Sequence, residues 1–246
     1  MTDPAARIRH VAVVMPAHNE DHHIGNALAA LRTAADVLHR KYPEVQASIA
    51  VVLDSCTDRS AEITAAYVNA DSRFSSLTVS LRNAGASRGF GIRSAFASRH
   101  PLDAARIWFA NTDADSTVPE NWLTRQVELA DLGADAILGS VEPDPNDVDP
   151  AVLARWLELH PFREDHPHIY GANFGVRGSA YLTVGGFPRL RAHEDRALVE
   201  RLRNQGFRVV ATDSLRVLTS GRTRARAPEG FAAYLRALAA EASAIG

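Results

Sequence analysis

"ARIWFANTDADSTVPENWL", residues 105–123, is the stretch on which the reading of the chain turns. Its apolar run, Ile107-Trp108-Phe109-Ala110, is short and rich in β-branched and aromatic residues, which predicts a buried strand. Pro119 and Glu120 predict the first turn of a following helix. Between the two elements stand two carboxylates, Asp113 and Asp115. A strand that empties into acids puts them at its carboxyl end, where open α/β sheets bind ligands. An Asx turn is the bland alternative, but no turn glycine accompanies the two acids.

The same alternation extends outward from this stretch. "VAVVMPA" (11–17), "SIAVVLD" (48–54), "SLTVSL" (76–81), "RIWFAN" (106–111) and "DAILGS" (135–140) read as strands. Amphipathic stretches at Ile24–Leu38, Ala61–Val68, Arg88–Ala97 and Trp122–Leu132 separate them. That order predicts a doubly wound, mostly parallel α/β sheet flanked by helices, with right-handed crossovers bringing the strand ends to one rim. The second half departs from it: "VEPDPNDVDP" (141–150) is a loop, Ala151–Leu159 a helix and "HPFREDHPHIYG" (160–171) another loop. "ANFGVRG" (172–178) and "FRVVATD" (207–213) add strands. "EDRALVERLRNQG" (194–206) is a helix with acids first and Gly206 just past its end.

Composition narrows the class of partner. With 46% hydrophobic and 23% charged residues, 246 residues suffice for one sizeable core. A net charge of -2 offers no global field for nucleic acid or an anionic membrane, so a partner is recognised at a local site. The single Cys56 excludes an internal disulfide and fits a reducing, cytoplasmic setting. No stretch reaches the roughly 20 apolar residues of a membrane span, which leaves peripheral membrane contact open.

Four segments place polar residues on the predicted rim: Pro16–Glu20, Leu53–Asp58, Asn83–Gly91 and Asn111–Asp115. Leu53–Asp58 also reads as a strand end with Thr57 or Asp58 capping the next helix. Gly85, Gly89 and Gly91 lack the dinucleotide-fold spacing after the first strand and read as a flexible, close-approaching loop. There Arg88 either meets an anion or is solvated. Two carboxylates one residue apart suit a hard cation, Mn²⁺ or Mg²⁺, usually held by one or two carboxylates plus substrate phosphates. That chemistry fits a nucleoside-diphosphate leaving group.

"VVMPAHNE", "VVLDSCTD", "NTDAD", "VGGF" and "HEDRAL" stand in the order seen in family 2 glycosyltransferases of the GT-A fold, and the chain resembles that family over about residues 10 to 230. The resemblance implies one nucleotide-diphospho-sugar transferase domain. Its nucleotide-sugar-binding half would be about 7–140, its acceptor-binding half about 141–230, and 231–246 a C-terminal helix. It implies that Pro16, Ala17, His18 and Glu20 contact the nucleoside, Glu20 at the ribose or base, and that Asp54 accepts a hydrogen bond from the base. The family commonly has two adjacent acids there, whereas Leu53 precedes Asp54 here. Asp115 would ligate the metal, with Asp113 on ribose or metal-bound water.

The resemblance further implies pocket roles for Asn173 and Arg177, although Gly185-Gly186 nearby also fits plain close packing. Asp195 becomes the general base that deprotonates the acceptor hydroxyl, with Glu194 beside it shaping the acceptor site; a helix-capping acid would account for one of the two. Many relatives carry a late His as a third metal ligand, but no His follows His193. Arg222, Arg224 and Arg226 then either share its charge-neutralising role or form a solvated basic loop. The expected function is metal-dependent, inverting transfer of a hexose from a nucleotide sugar, UDP first and GDP second, to a hydroxyl acceptor. A nucleotidyltransferase and a non-catalytic nucleotide-sugar binder are the competing readings.

Overall fold

The computed structural model describes residues 7–97, 103–188, 190, 193–222 and 230–245. Among them, eight strands form one sheet in the order β3-β2-β1-β4-β7-β6-β8-β5. These are β1 (His10–Ala17), β2 (Gln46–Asp54), β3 (Phe74–Val79), β4 (Ile107–Asn111), β5 (Ser116–Thr117), β6 (Ala136–Pro143), β7 (Phe174–Arg177) and β8 (Val209–Thr219). The helices are α1 (Ile24–Lys41), α2 (Ser60–Ala70), α3 (Ala84–Ala97), α4 (Trp122–Asp131), α5 (Pro150–Leu159), α6 (Gly178–Thr183), α7 (Glu194–Asn204) and α8 (Phe231–Ile245).

β1 and β4 are apolar along their length because helices cover both their faces, the situation in which strands read as continuous rather than alternating hydrophobic runs. On one face α1 buries Ile24, Ala27, Leu28, Leu31, Ala34, Ala35 and Leu38, a stripe at helical spacing, in a core that includes Trp108 and Trp122. On the other, Ile92 of α3, Tyr181 of α6 and Leu198 of α7 meet Phe109 and Phe174. A third, smaller cluster joins α5 to α8 through Val152, Trp156, Leu235 and Leu238.

The sheet is mixed, with parallel pairings in the majority as expected. β1–β2, β2–β3, β1–β4 and β6–β8 pair in parallel, but β7 runs antiparallel to both β4 and β6, and β5 antiparallel to β8. A parallel strand needs a helical crossover to carry the chain back to the other edge. After α5 the chain enters β7 from the loop at 160–170 and a single 3-10 turn at Gly171–Asn173, so β7 starts beside the end of β4.

The segment containing Gly85, Gly89 and Gly91 is helix α3, not a loop; it extends the helix read at Arg88–Ala97 back to Ala84. Its glycines permit the expected close approach: a Cβ at position 91 would stand 2.5 Å from Val14 Cγ1 and 2.9 Å from Val52 Cγ2. α3 therefore lies almost on β1 and β2. α7 ends as its sequence predicts, with Gly206 at φ +78° just beyond it.

Candidate active site

The rim of the sheet is built around the turn after β4. Ser116 N–H donates to the Asp113 carbonyl, closing that turn, and the two-residue β5 then pairs with Leu218 and Thr219 of β8. This pairing brings the chain after β8 alongside Asp115, whose carbonyl accepts from Ser220 N–H. Arg222, next in line, donates from Nη1 and Nη2 to both Glu20 oxygens at 2.7 and 2.9 Å, and Nη2 lies 2.7 Å from Asp115 Oδ2. Burial and the charge of Asp113 push the Asp115 carboxyl up to about 7, against the pull of Arg222.

Asp113 pairs with a different arginine. Arg88, on α3 and 4% exposed, donates from Nη2 to Asp113 Oδ1 at 2.5 Å and from Nη1 to Glu194 Oε1 at 2.6 Å. Burial works against the Arg88 charge, and Asp113, Glu194 and Asp195 more than restore it. The rim thus carries two acid–arginine–acid chains, Glu20–Arg222–Asp115 and Asp113–Arg88–Glu194. Glu194 and Asp195 open α7, where negative charge is favoured by the helix dipole. Half-buried Asp195 accepts a hydrogen bond from Arg196 N–H on its own helix.

Several residues take other places than the sequence suggested. Asp54 offers no free oxygen to a nucleobase: Oδ1 accepts from Leu81 and Arg82 N–H, and Oδ2 from Asn83 N–H and Ser87 Oγ. Burial alone would raise its carboxyl; the donors from Arg82, Asn83, Ser87 and Leu81 together hold it below the usual range. These bonds tie the loop between β3 and α3 to the end of β2. Glu20 likewise spends both oxygens on Arg222, and Arg88, read as either meeting an anion or solvated, meets two protein carboxylates.

Arg177 is corrected outright. It pairs with Trp108 at the start of β4, the edge opposite the rim, and donates to the carbonyls of Ala105, Ala130 and Ala134. Asn173 lies nearer the rim but is 1% exposed, donating to the Ser140 and Leu215 carbonyls and accepting from Trp122 Nε1. Both are framework residues. Pro16 is half-buried, buried Ala17 presents its carbonyl to Cys56 Sγ, and exposed His18 meets the Asp54 carbonyl through Nδ1 at 2.6 Å. Arg224 and Arg226 lie outside the described residues. One feature has no sequence expectation: a cavity of about 40 Å³ beside Asp115, lined by His23, Asp144, Asp147 and Ser220 among others. Its acids come from the loop at 141–150, which carries no spacing signal.

The donor set fits a hard divalent cation. Asp113 and Asp115 are close enough for the charge of one to raise the other's pKa, and both supply only oxygen. Across the two chains four carboxylates meet two guanidiniums, leaving the charge that one divalent cation would cancel. Among the described residues no group of three or more His, Cys, Asp or Glu side chains is set to hold a metal. Remaining ligands would come from phosphate and water, the usual habit of Mg²⁺-type sites.

Comparison with known proteins identifies the family and the fold. The family model "Glycosyl transferase family 2" matches residues 12–188, and the chain belongs to that family. A comparison with curated proteins finds no match. The structure is similar to a mannosyltransferase from Pyrobaculum calidifontis in complex with GDP-Man and Mn²⁺: TM-score 0.65, 18% identity, 92% of this chain and 61% of that one. It is similar to GalNAc-T7 with UDP, GalNAc and Mn²⁺: TM-score 0.63, 13% identity, 87% of this chain and 44% of that one. A third is glucosyl-3-phosphoglycerate synthase from Mycobacterium tuberculosis in complex with phosphoglyceric acid: TM-score 0.56, 13% identity, 95% of this chain and 80% of that one. The chain thus spans less than two thirds of the first two. At these identities the likeness establishes the fold, GT-A, and no substrate.

Proposed function

We propose that this member of glycosyl transferase family 2 moves a hexose from a nucleoside-diphosphate sugar to an acceptor hydroxyl, with inversion. The observation that carries the reading is the Asp113–Asp115 turn at the end of β4, each of its carboxylates paired with a different arginine. Asp113 and Asp115 would hold Mn²⁺ or Mg²⁺, and the cation supplies Lewis-acid neutralisation of the departing diphosphate. Relatives solved with GDP-Man or UDP and Mn²⁺ support that assignment without choosing the base. Since Asp54 is saturated by protein donors, its carboxylate gives no ground for preferring UDP over GDP, and both belong in any screen.

On the acceptor side Asp195 takes the hydroxyl proton as the oxygen attacks the anomeric carbon. Glu194 is the weaker choice of base because Arg88 occupies it at 2.6 Å. Asp195→Asn is expected to keep Mn²⁺-dependent nucleotide binding while transfer falls by about 10² to 10⁴-fold, the usual loss for a general base. Donor hydrolysis, then transfer to a panel of sugar, glycerol-derivative and lipid-linked acceptors, provides the assay. Wild-type transfer by that variant, or loss of its nucleotide binding, would remove Asp195 from the base position.

A further inference from the structure

Arg88 takes part in none of these steps, yet the fold is built tightly around it. It joins Asp113 of the β4 turn, 25 residues from it in sequence, to Glu194 at the start of α7, 106 residues from it. Gly171 lies against its guanidinium: a Cβ there would stand 2.7 Å from Nη2 and 2.8 Å from Cζ and Nη1. One turn before Arg88, a Cβ at Gly85 would stand 2.4 Å from Glu194 Cγ. Two glycines from different elements thus leave room for this one ion pair. Arg222, its counterpart on Asp115, has a side chain 24% exposed against 5% for Arg88.

A guanidinium presents two prongs in one plane, so fixing one carboxylate fixes the direction of the other. Glu194 and Asp195 are adjacent on α7, and whatever orients Glu194 orients the helix start that carries Asp195. We propose that Arg88 is a positioning residue: its one guanidinium locks Glu194 as a fixed anchor to Asp113, and so holds Asp195 in register with the donor. This rests on the reading of Asp195 as the base and assigns Arg88 no contact with substrate.

The test uses Arg88→Gln, Arg88→Lys and the near-isosteric Glu194→Gln, with Mn²⁺ and whichever of UDP or GDP stabilises wild type. Amide exchange in residues 195–199 is expected to slow on Mn²⁺–nucleotide binding in wild type, and that protection to be lost in Arg88→Gln and Glu194→Gln. Nucleotide Kd stays within about threefold while transfer falls about 10²-fold, the scale of a small misplacement of reacting groups. Arg88→Lys keeps the charge but not the planar fork, and is expected to restore neither the protection nor the rate. Glu194→Gln carries the test should Arg88→Gln fail to fold. Protection that persists in both variants, or undiminished transfer, overturns the proposal, and a tenfold loss of nucleotide affinity makes Arg88 a donor ligand instead. Wild type that binds nucleotide and shows the α7 protection but turns over no donor overturns the transferase reading and leaves the Arg88 link standing.

Discussion

A buried carboxyl held near pH 7 beside another carboxylate is a cost that the apoprotein bears, and Asp115 is that group. Its folded pKa lies above its unfolded value, so the folded chain keeps the proton longer. Stability therefore falls as pH rises from about 4 towards about 7, the opposite of the usual carboxylate behaviour. Asp115→Asn removes the penalty, and its melting temperature should exceed that of wild type at pH 8 and converge with it only below about pH 4. A variant less stable than wild type throughout that range would show that the Arg222 pair outweighs the burial. Asp54 is a contrasting case, an acid whose oxygens are fully engaged. Asp54→Asn puts an amide donor against N–H groups and should cost about 1–3 kcal/mol, with faster amide exchange at 81–83.

The elements were legible where periodicity is local. Strands at 11–17, 48–54 and 106–111 and helices from Ile24 and Glu194 follow from runs and spacing that a few residues contain. β7 was legible as a strand but not in its direction, which depends on how the loop at 160–170 returns to the rim. Arg177, whose pocket role follows from the family resemblance alone, lies at the edge opposite the rim. α3 was misread at its start because glycines disfavour helix, and tertiary contact with Val14 and Val52 overrides the propensity. Gly91→Ala tests this: helix propensity alone would stabilise, whereas overpacking against β1 and β2 should destabilise by about 1–3 kcal/mol in urea unfolding. A gain in stability would mean that α3 can move away from the sheet.

Across the whole molecule, the active-site geometry is a product of long-range pairing. Asp113 and Asp115 were readable from their strand, but their arginines were not, since Arg222 reaches Glu20 across 202 residues and Arg88 reaches Glu194 across 106. The fold brings four carboxylates and two guanidiniums to one rim and leaves the site negative. The central claim is that this residual charge is the seat of a divalent cation shared with a nucleoside diphosphate. Titration calorimetry of UDP and of GDP, each with and without Mn²⁺, against wild type and Asp115→Asn tests it directly. One of the two nucleotides should bind wild type at least about tenfold more tightly with Mn²⁺, a difference of about 1.4 kcal/mol, and Asp115→Asn should abolish that gain. Equal affinity with and without Mn²⁺ in wild type, or an undiminished Mn²⁺ effect in Asp115→Asn, would contradict the account.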